Sequence, residues 1–192
     1  MSVPEELEGQ VVQLTQHRQH RFFGKYRGVV KDVTDPDHRL RIKALVPAVY
    51  EDKLTPWAMP ALPFAGRQHG LMLRPEVEDG VWIEFEAGDP SRPIWAGCFW
   101  ADGQRPSSEV EHVRMLATTA GHKVAIDDDA GEIKLEHADG ITLLTLKAGE
   151  ITLAVGRCQL KITPEAIVLN DGMAKVTLAG ASLVNDAFKL GG

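Results

Sequence analysis

From residue 123 to residue 183 the apolar positions recur in very short alternating runs: Val124/Ile126, Ile133/Leu135, Ile141/Leu143, Ile151/Leu153/Val155, Leu160/Ile162, Ile167/Leu169, Val176/Leu178 and Leu183. Alternation with period two sends successive side chains to opposite faces of a strand, so each run offers one narrow row of Ile, Leu or Val to a core. The intervening positions are mostly polar (Lys134, Glu136, Thr142, Thr152, Lys161, Lys175, Thr177), and Asp-Gly or Ala-Gly pairs separate many of the runs. This predicts a ladder of about eight short strands joined by tight turns. Nothing else in the sequence offers to cover the apolar row. The expectation is therefore that copies of the chain wind around a shared axis, with backbone groups pairing between chains. A single-chain solenoid fits poorly, because the ladder would make too few turns and lacks the calcium-binding glycine-aspartate nonapeptide. A homotrimer repairs this, with Ile133, Leu135, Ile141, Leu143, Ile151, Leu153, Leu160, Ile162, Ile167, Leu169, Val176 and Leu178 as its core.

The first part of the chain has a different texture. Residues 1–24 are polar, with few apolar anchors, and read as an arm. A β-rich run, Tyr26 to Val33, and a second, Leu40 to Val46, flank the turn Thr34-Asp35-Pro36-Asp37 and predict a hairpin. A Pro-rich connection follows, in which Trp57 to Leu62 has too few consecutive donors for a central strand. Leu71 to Leu73, Gly80 to Glu86 and Pro93 to Trp100 complete the set, and five or so short strands without a convincing helix suit a small closed barrel. The divisions are an arm over 1–24, a barrel over 25–100, a linker over 101–120 and the ladder over 121–192. All four tryptophans fall in the first part, and the apolar contexts of Trp82 and Trp95 predict that both lie in the core.

The net charge of −6 excludes general attraction to nucleic acid or anionic membrane. A local exception runs from His17 to Lys43, with eight Lys or Arg against three Asp. It keeps an alternative open: a single-stranded nucleic-acid-binding barrel with a β-rich oligomerisation tail. Cys98 and Cys158 lack metal-ligand spacing and read as buried free thiols in a reducing compartment. The chain opens without a charged leader and apolar segment, which predicts synthesis in the cytosol.

Three clusters could carry chemistry, and each has a plainer explanation. His17 and His20 have helical spacing for half a zinc site, but nothing nearby completes it. Asp127-Asp128-Asp129 could grip a cation, but fits a solvated turn. Glu84 and Glu86 alternate with Ile83 and Phe85 and read as the solvent face of a strand rather than an acid pair. With no nucleophile elbow, phosphate-cradling loop or zinc signature, the expectation is a protein that is not an enzyme and uses no cofactor or metal.

An ordered set of pieces carries a family resemblance: Gly28-Val29-Val30, Asp35-Pro36, Arg39 to Val46, Pro47, Trp57-Ala58, Ala65-Gly66, Pro75-Glu76-Val77, Asp79-Gly80-Val81, Glu84-Phe85, Gly88-Asp89-Pro90, Arg92-Pro93 and Gly97. It resembles the oligonucleotide/oligosaccharide-binding (OB) domain of phage baseplate assembly protein V and of the central spikes of related contractile injection systems, including the valine-glycine repeat spike of type VI secretion. Gly121-His122-Lys123 through Gly131-Glu132-Ile133 resembles that family's transition into a trimeric β-helix. The resemblance implies an all-β homotrimer in which an OB-fold barrel leads into an intertwined triple-stranded β-helix. Its implied role is a baseplate spike of a virion, tailocin or injection particle, assembled in the cytoplasm and driven into the target envelope by sheath contraction. Baseplate hub or tube proteins would bind the barrel side. Some members carry a muramidase between barrel and helix, but only about twenty residues separate them here. Two departures concern glycines of the family, replaced by His38 and Glu78, so those turns are expected to differ. A third is the end of the chain, Asn185 to Gly192, which lacks the His-x-His of metal-tipped apices. A blunt end implies a separate tip protein of the proline-alanine-alanine-arginine repeat (PAAR) type, docked on Ala187, Phe188, Lys189 and Leu190.

Overall fold

The structure is a computed structural model that describes residue 10 and residues 21–106, 112–184 and 187–190. The chain divides into two compact units, Met1–Arg105 and Pro106–Gly192. His17 and His20 lie outside the described residues. Among the described residues no helix is long and apolar enough to cross a membrane.

In the first unit, β1 (Tyr26–Asp32), β2 (Lys43–Leu45), β3 (Met59–Pro60), β6 (Gly80–Phe85) and β7 (Pro93–Phe99) form a five-stranded sheet in the order β2-β1-β6-β7-β3. The sheet curls shut. β3 runs parallel to β7, and the preceding Ala58 exchanges backbone hydrogen bonds with Ile42 at the entrance to β2, at 3.2 and 2.8 Å. The short strand at Met59-Pro60 matches the expectation of no central strand there, since Pro60 donates no ladder bond. A four-residue helix, α1 (Pro47–Tyr50), follows β2, and a minimal hairpin of β4 (Ala65–Gly66) and β5 (His69–Gly70) projects between β3 and β6. Leu71 to Leu73 is not a strand. These residues form an extended loop, each at least 39% exposed.

The barrel interior holds Val30, Ile42, Ala44, Val46, Ala58, Val81, Ile83, Phe85 and Trp95, and Phe22, Tyr26 and Tyr50 crowd around the ring of Phe85. Burial of nine such side chains is the main stabilising contribution of this unit. Trp95 is core as expected, and its indole N–H donates to the Leu40 carbonyl at 3.0 Å. Trp82 is not. It alternates with the buried Val81 and Ile83, so the pleat turns it outward, where it meets Phe99 and the guanidinium of Arg27. Gly80 lies beneath that patch, and a Cβ there would come within 2.7 Å of the Phe99 ring.

One buried carboxylate organises the β1–β2 connection. Asp35 accepts from the backbone N–H groups of Asp37 (3.1 Å), Arg39 (2.7 Å) and Arg41 (3.2 Å) and from the Arg41 guanidinium (2.6 Å). The Arg41 guanidinium, followed by those amides, holds its carboxyl far below the usual range. His38 and Glu78, where the family has glycine, both have positive φ, at 53° and 74°. The turns thus adopt a glycine-type conformation without glycine, at a backbone cost partly offset at Glu78 by its ion pair with Lys31.

In the second unit ten strands form one antiparallel sheet in sequence order: β8 (Val113–Ala117), β9 (Lys123–Asp127), β10 (Glu132–Glu136), β11 (Thr142–Lys147), β12 (Glu150–Val155), β13 (Cys158–Ile162), β14 (Ala166–Leu169), β15 (Ala174–Thr177), β16 (Gly180–Leu183) and β17 (Phe188–Leu190). β8 lies within the stretch expected to be linker. Each strand pairs with the next in the same chain, unlike the expected pairing between chains. Tight turns explain the difference, because Gly131, Gly140, Gly149 and Gly156 all take φ between 58° and 71° and reverse the chain at once.

Candidate functional site: an uncovered apolar sheet face

The register of the ten strands aligns side chains into ladders that cross the whole sheet. One ladder runs Leu116, Val124, Leu135, Leu144, Leu153, Leu160, Leu169, Ala174, Leu183, Phe188. Two residues along each strand lies a second: Arg114, Ile126, Ile133, Leu146, Ile151, Ile162, Ile167, Val176, Ala181, Leu190. On the far side of the leucine ladder, the first six strands carry a third: Thr118, His122, His137, Thr142, Val155, Cys158. All three share one face. A trough of about 800 Å³ follows the leucine ladder, lined by Leu116, Leu135, Leu144, Leu153, Leu160 and Leu169 among others.

This face is bare. Ile133 and Leu135 are 42% exposed, Leu153 46% and Val176 52%. Polar side chains of the opposite face pair among themselves: Lys147 with Glu132 at 3.2 Å, Lys161 with Glu150 at 3.0 Å, Lys123 with Glu136 at 3.6 Å, and Lys134 with Glu132. The Lys134 ammonium, followed by that of Lys147, holds the Glu132 carboxyl below its ordinary value, and Lys161 does the same for Glu150. The sheet is a two-sided object with its finished side polar.

The structure places most of the expected core residues together on the bare face: Ile133, Leu135, Ile151, Leu153, Leu160, Ile162, Ile167, Leu169 and Val176. Three it does not. Leu143 pairs with Glu136 and Ala154 and so belongs to the polar face. Ile141 lies in the turn before β11, and Leu178 in the turn after β15, fully exposed. The phase of β11 is the cause: Ile141-Thr142-Leu143-Leu144-Thr145-Leu146 places two apolar residues on either parity, and the neighbouring strands select Leu144 and Leu146. Thr142, read as outward, faces inward beside Val155. The signal that identifies the correct phase is cross-strand pairing, which the isolated run does not contain.

At the end of the sheet, Phe188, Lys189 and Leu190 form β17, whose outer edge pairs with no strand among the described residues, with Phe188 68% and Leu190 71% exposed. Among the other candidates, Asp128 pairs with Arg114 and the Asp127 carboxylate accepts from the Ala130 N–H at 2.9 Å, which ties both into the β9–β10 turn region. Glu84 and Glu86 part company: β6 ends at Phe85, Glu86 opens a 3-10 turn and pairs with Arg92, and Glu84 pairs with Lys25. The basic stretch of the barrel is largely engaged within it. Lys31 meets Glu78, Arg39 meets Asp37, Arg41 meets Asp35, and Lys43 lies 4.7 Å from the Trp57 ring centroid. An oligonucleotide would have to displace these partners.

Residues 26–100, the closed barrel, match the family model of the type VI secretion system/phage-baseplate injector OB domain. No curated protein matches the chain.

Proposed function

We propose that this chain, whose barrel is a baseplate-injector OB domain, is the central spike of a contractile tail or injection system. In this reading three copies pack their bare sheet faces together, and sheath contraction drives the resulting needle through an envelope. The observation that carries it is the uncovered face, ten strands long and, over the first six, three side chains wide. Sheets pack about 10 Å apart, so each face of a filled prism stands about 5 Å from its axis; an equilateral triangle of that size has sides of about 17 Å. Five residues at about 3.4 Å each span the same length. The strands β8, β9, β10 and β13 have five residues. A four-sided prism would need strands of about three. Twist of each sheet would wrap the three around one another as an intertwined β-helix.

The mechanism is mechanical and assigns no catalysis. Nine strand spacings of about 4.8 Å give a shaft of about 43 Å whose backbone hydrogen bonds run along its length. Each rung is tied covalently to the next, and the apolar interior holds the three shafts against buckling. Partners follow from the two ends: hub or tube proteins at the OB barrel, and a PAAR-type tip protein on the open edge of β17 at Ala187 to Leu190. The mass in solution tests the proposal. Sedimentation equilibrium of the full chain should return three times 21.0 kDa; a folded single chain or a dimer refutes it.

A further inference from the structure

The three ladders of the bare face are chemically unequal, and this fixes how copies can meet. The leucine ladder is the middle one over β8 to β13, with the isoleucine ladder on one side and Thr118, His122, His137, Thr142, Val155 and Cys158 on the other. Around a three-fold axis every contact is head to tail, so each corner joins unlike edges. The middle ladder is equidistant from both corners and faces the axis.

Resting on the three-copy reading, we propose that each copy lays its isoleucine ladder against the mixed ladder of the next copy. The occupant of each edge is thus the opposite edge of a second copy. The matching of the two edges supports this pairing. Ile126 and Ile133 would cover the His122 and His137 rings, whose centroids are 4.5 Å apart. Both imidazoles are already anchored through Nδ1, that of His122 accepting from the Ala138 N–H (3.2 Å) and that of His137 lying 3.1 Å from the Asp139 carboxylate, so they can present ring surface to an apolar neighbour. Further along, Ile151 would meet Val155, and Ile162 would meet Cys158. The polar groups remain at the corners, where they keep access to water, and the axis stays dry.

Both cysteines, expected to be buried, are exposed in the single chain, and Cys158 supplies the test. Residues 158 and 162 of one strand are about 13 Å apart, far beyond the roughly 7 Å limit for a disulfide, so any bond between them joins two chains. Ile162→Cys in the full chain, with Cys98→Ser to silence the other thiol, should oxidise to a covalent three-chain species whose peptides link 158 to 162. Lys161→Cys, on the polar face, should yield no such product. A three-chain mass without the 158–162 bond, or with 162 joined to 162, overturns the ladder order while leaving the spike intact. Failure of Ile162→Cys to cross-link in a protein of single-chain mass overturns the three-copy reading itself.

Discussion

Replacing Leu153 with Asp places a carboxylate in the middle of the bare face. In the single chain Leu153 is 46% exposed, flanked across the strands by Leu144 and Leu160. A half-open site can hydrate a carboxylate, so the isolated sheet should survive the change. Assembly is different. Covering the exposed half of a leucine contributes about 1 kcal/mol, or about 3 kcal/mol over three copies. Desolvating three carboxylates costs several kcal/mol each, with mutual repulsion in addition. The sum is on the order of 10 kcal/mol per trimer, or about seven decades in the assembly constant. Thr152→Asp, on the opposite face between Thr145 and Lys161, is the control and should assemble normally. Multi-angle light scattering gives the mass of each variant, and far-ultraviolet circular dichroism reports whether the strands persist. The expected result is a β-rich single chain for Leu153→Asp and a trimer for Thr152→Asp. Equal masses for the two would refute the face assignment.

Three further outcomes follow from the same structure. Leu144→Asp should block assembly whereas Leu143→Asp should not, and light scattering that found the reverse would move β11 to the other phase. Asp35→Asn should lower the thermal midpoint of the barrel, read from tryptophan fluorescence, because the Arg41 guanidinium loses its carboxylate. The folded-state pKa of Asp35 lies below its unfolded value, so its stabilisation is present above about pH 4 and fades as the pH falls below that; the gap between native and variant midpoints should therefore narrow from pH 7 to pH 3, and a constant gap contradicts this account. Removing residues 184–192 should leave a trimer that no longer captures a PAAR-type tip protein, and retained capture in a pull-down excludes β17 as the docking strand.

Most of the barrel could be read from its sequence, because its strands alternate cleanly and its turns use Asp, Pro and Gly where a turn needs them. Trp82 shows where such reading fails. Flanked by Val81 and Ile83, it has a core-like neighbourhood in one dimension, but the pleat sends it to the other face. Leu71 to Leu73 fails for a related reason: an apolar run without strand partners remains a loop. In the ladder, strand positions and most of the apolar face were legible from period-two alternation alone. The phase of β11 was not, since Ile141/Leu143 and Leu144/Leu146 satisfy opposite parities and only the pairing with Leu135 and Leu153 decides. The choice of pairing partner was also hidden. A short run cannot state whether its hydrogen bonds go to its own chain or to another, and here the glycine turns decide it by returning the chain at once.

That local pairing changes how a spike of this kind would bear load. If strands bonded between chains, separation of the copies would break the sheet itself. With every rung closed within one chain, each copy is a complete ladder before assembly, and a trimer would add only side-chain contact. Folding then needs no partner for its backbone, whereas stability against water does, because the ladder exposes apolar side chains along its full length. Assembly should accordingly follow folding, with the bare face as the aggregation hazard in the interval. Polarity at the mixed ladder, from Thr118 to Cys158, moderates that hazard at one edge. In the proposed trimer the dry leucine centre would form last, when the third copy arrives.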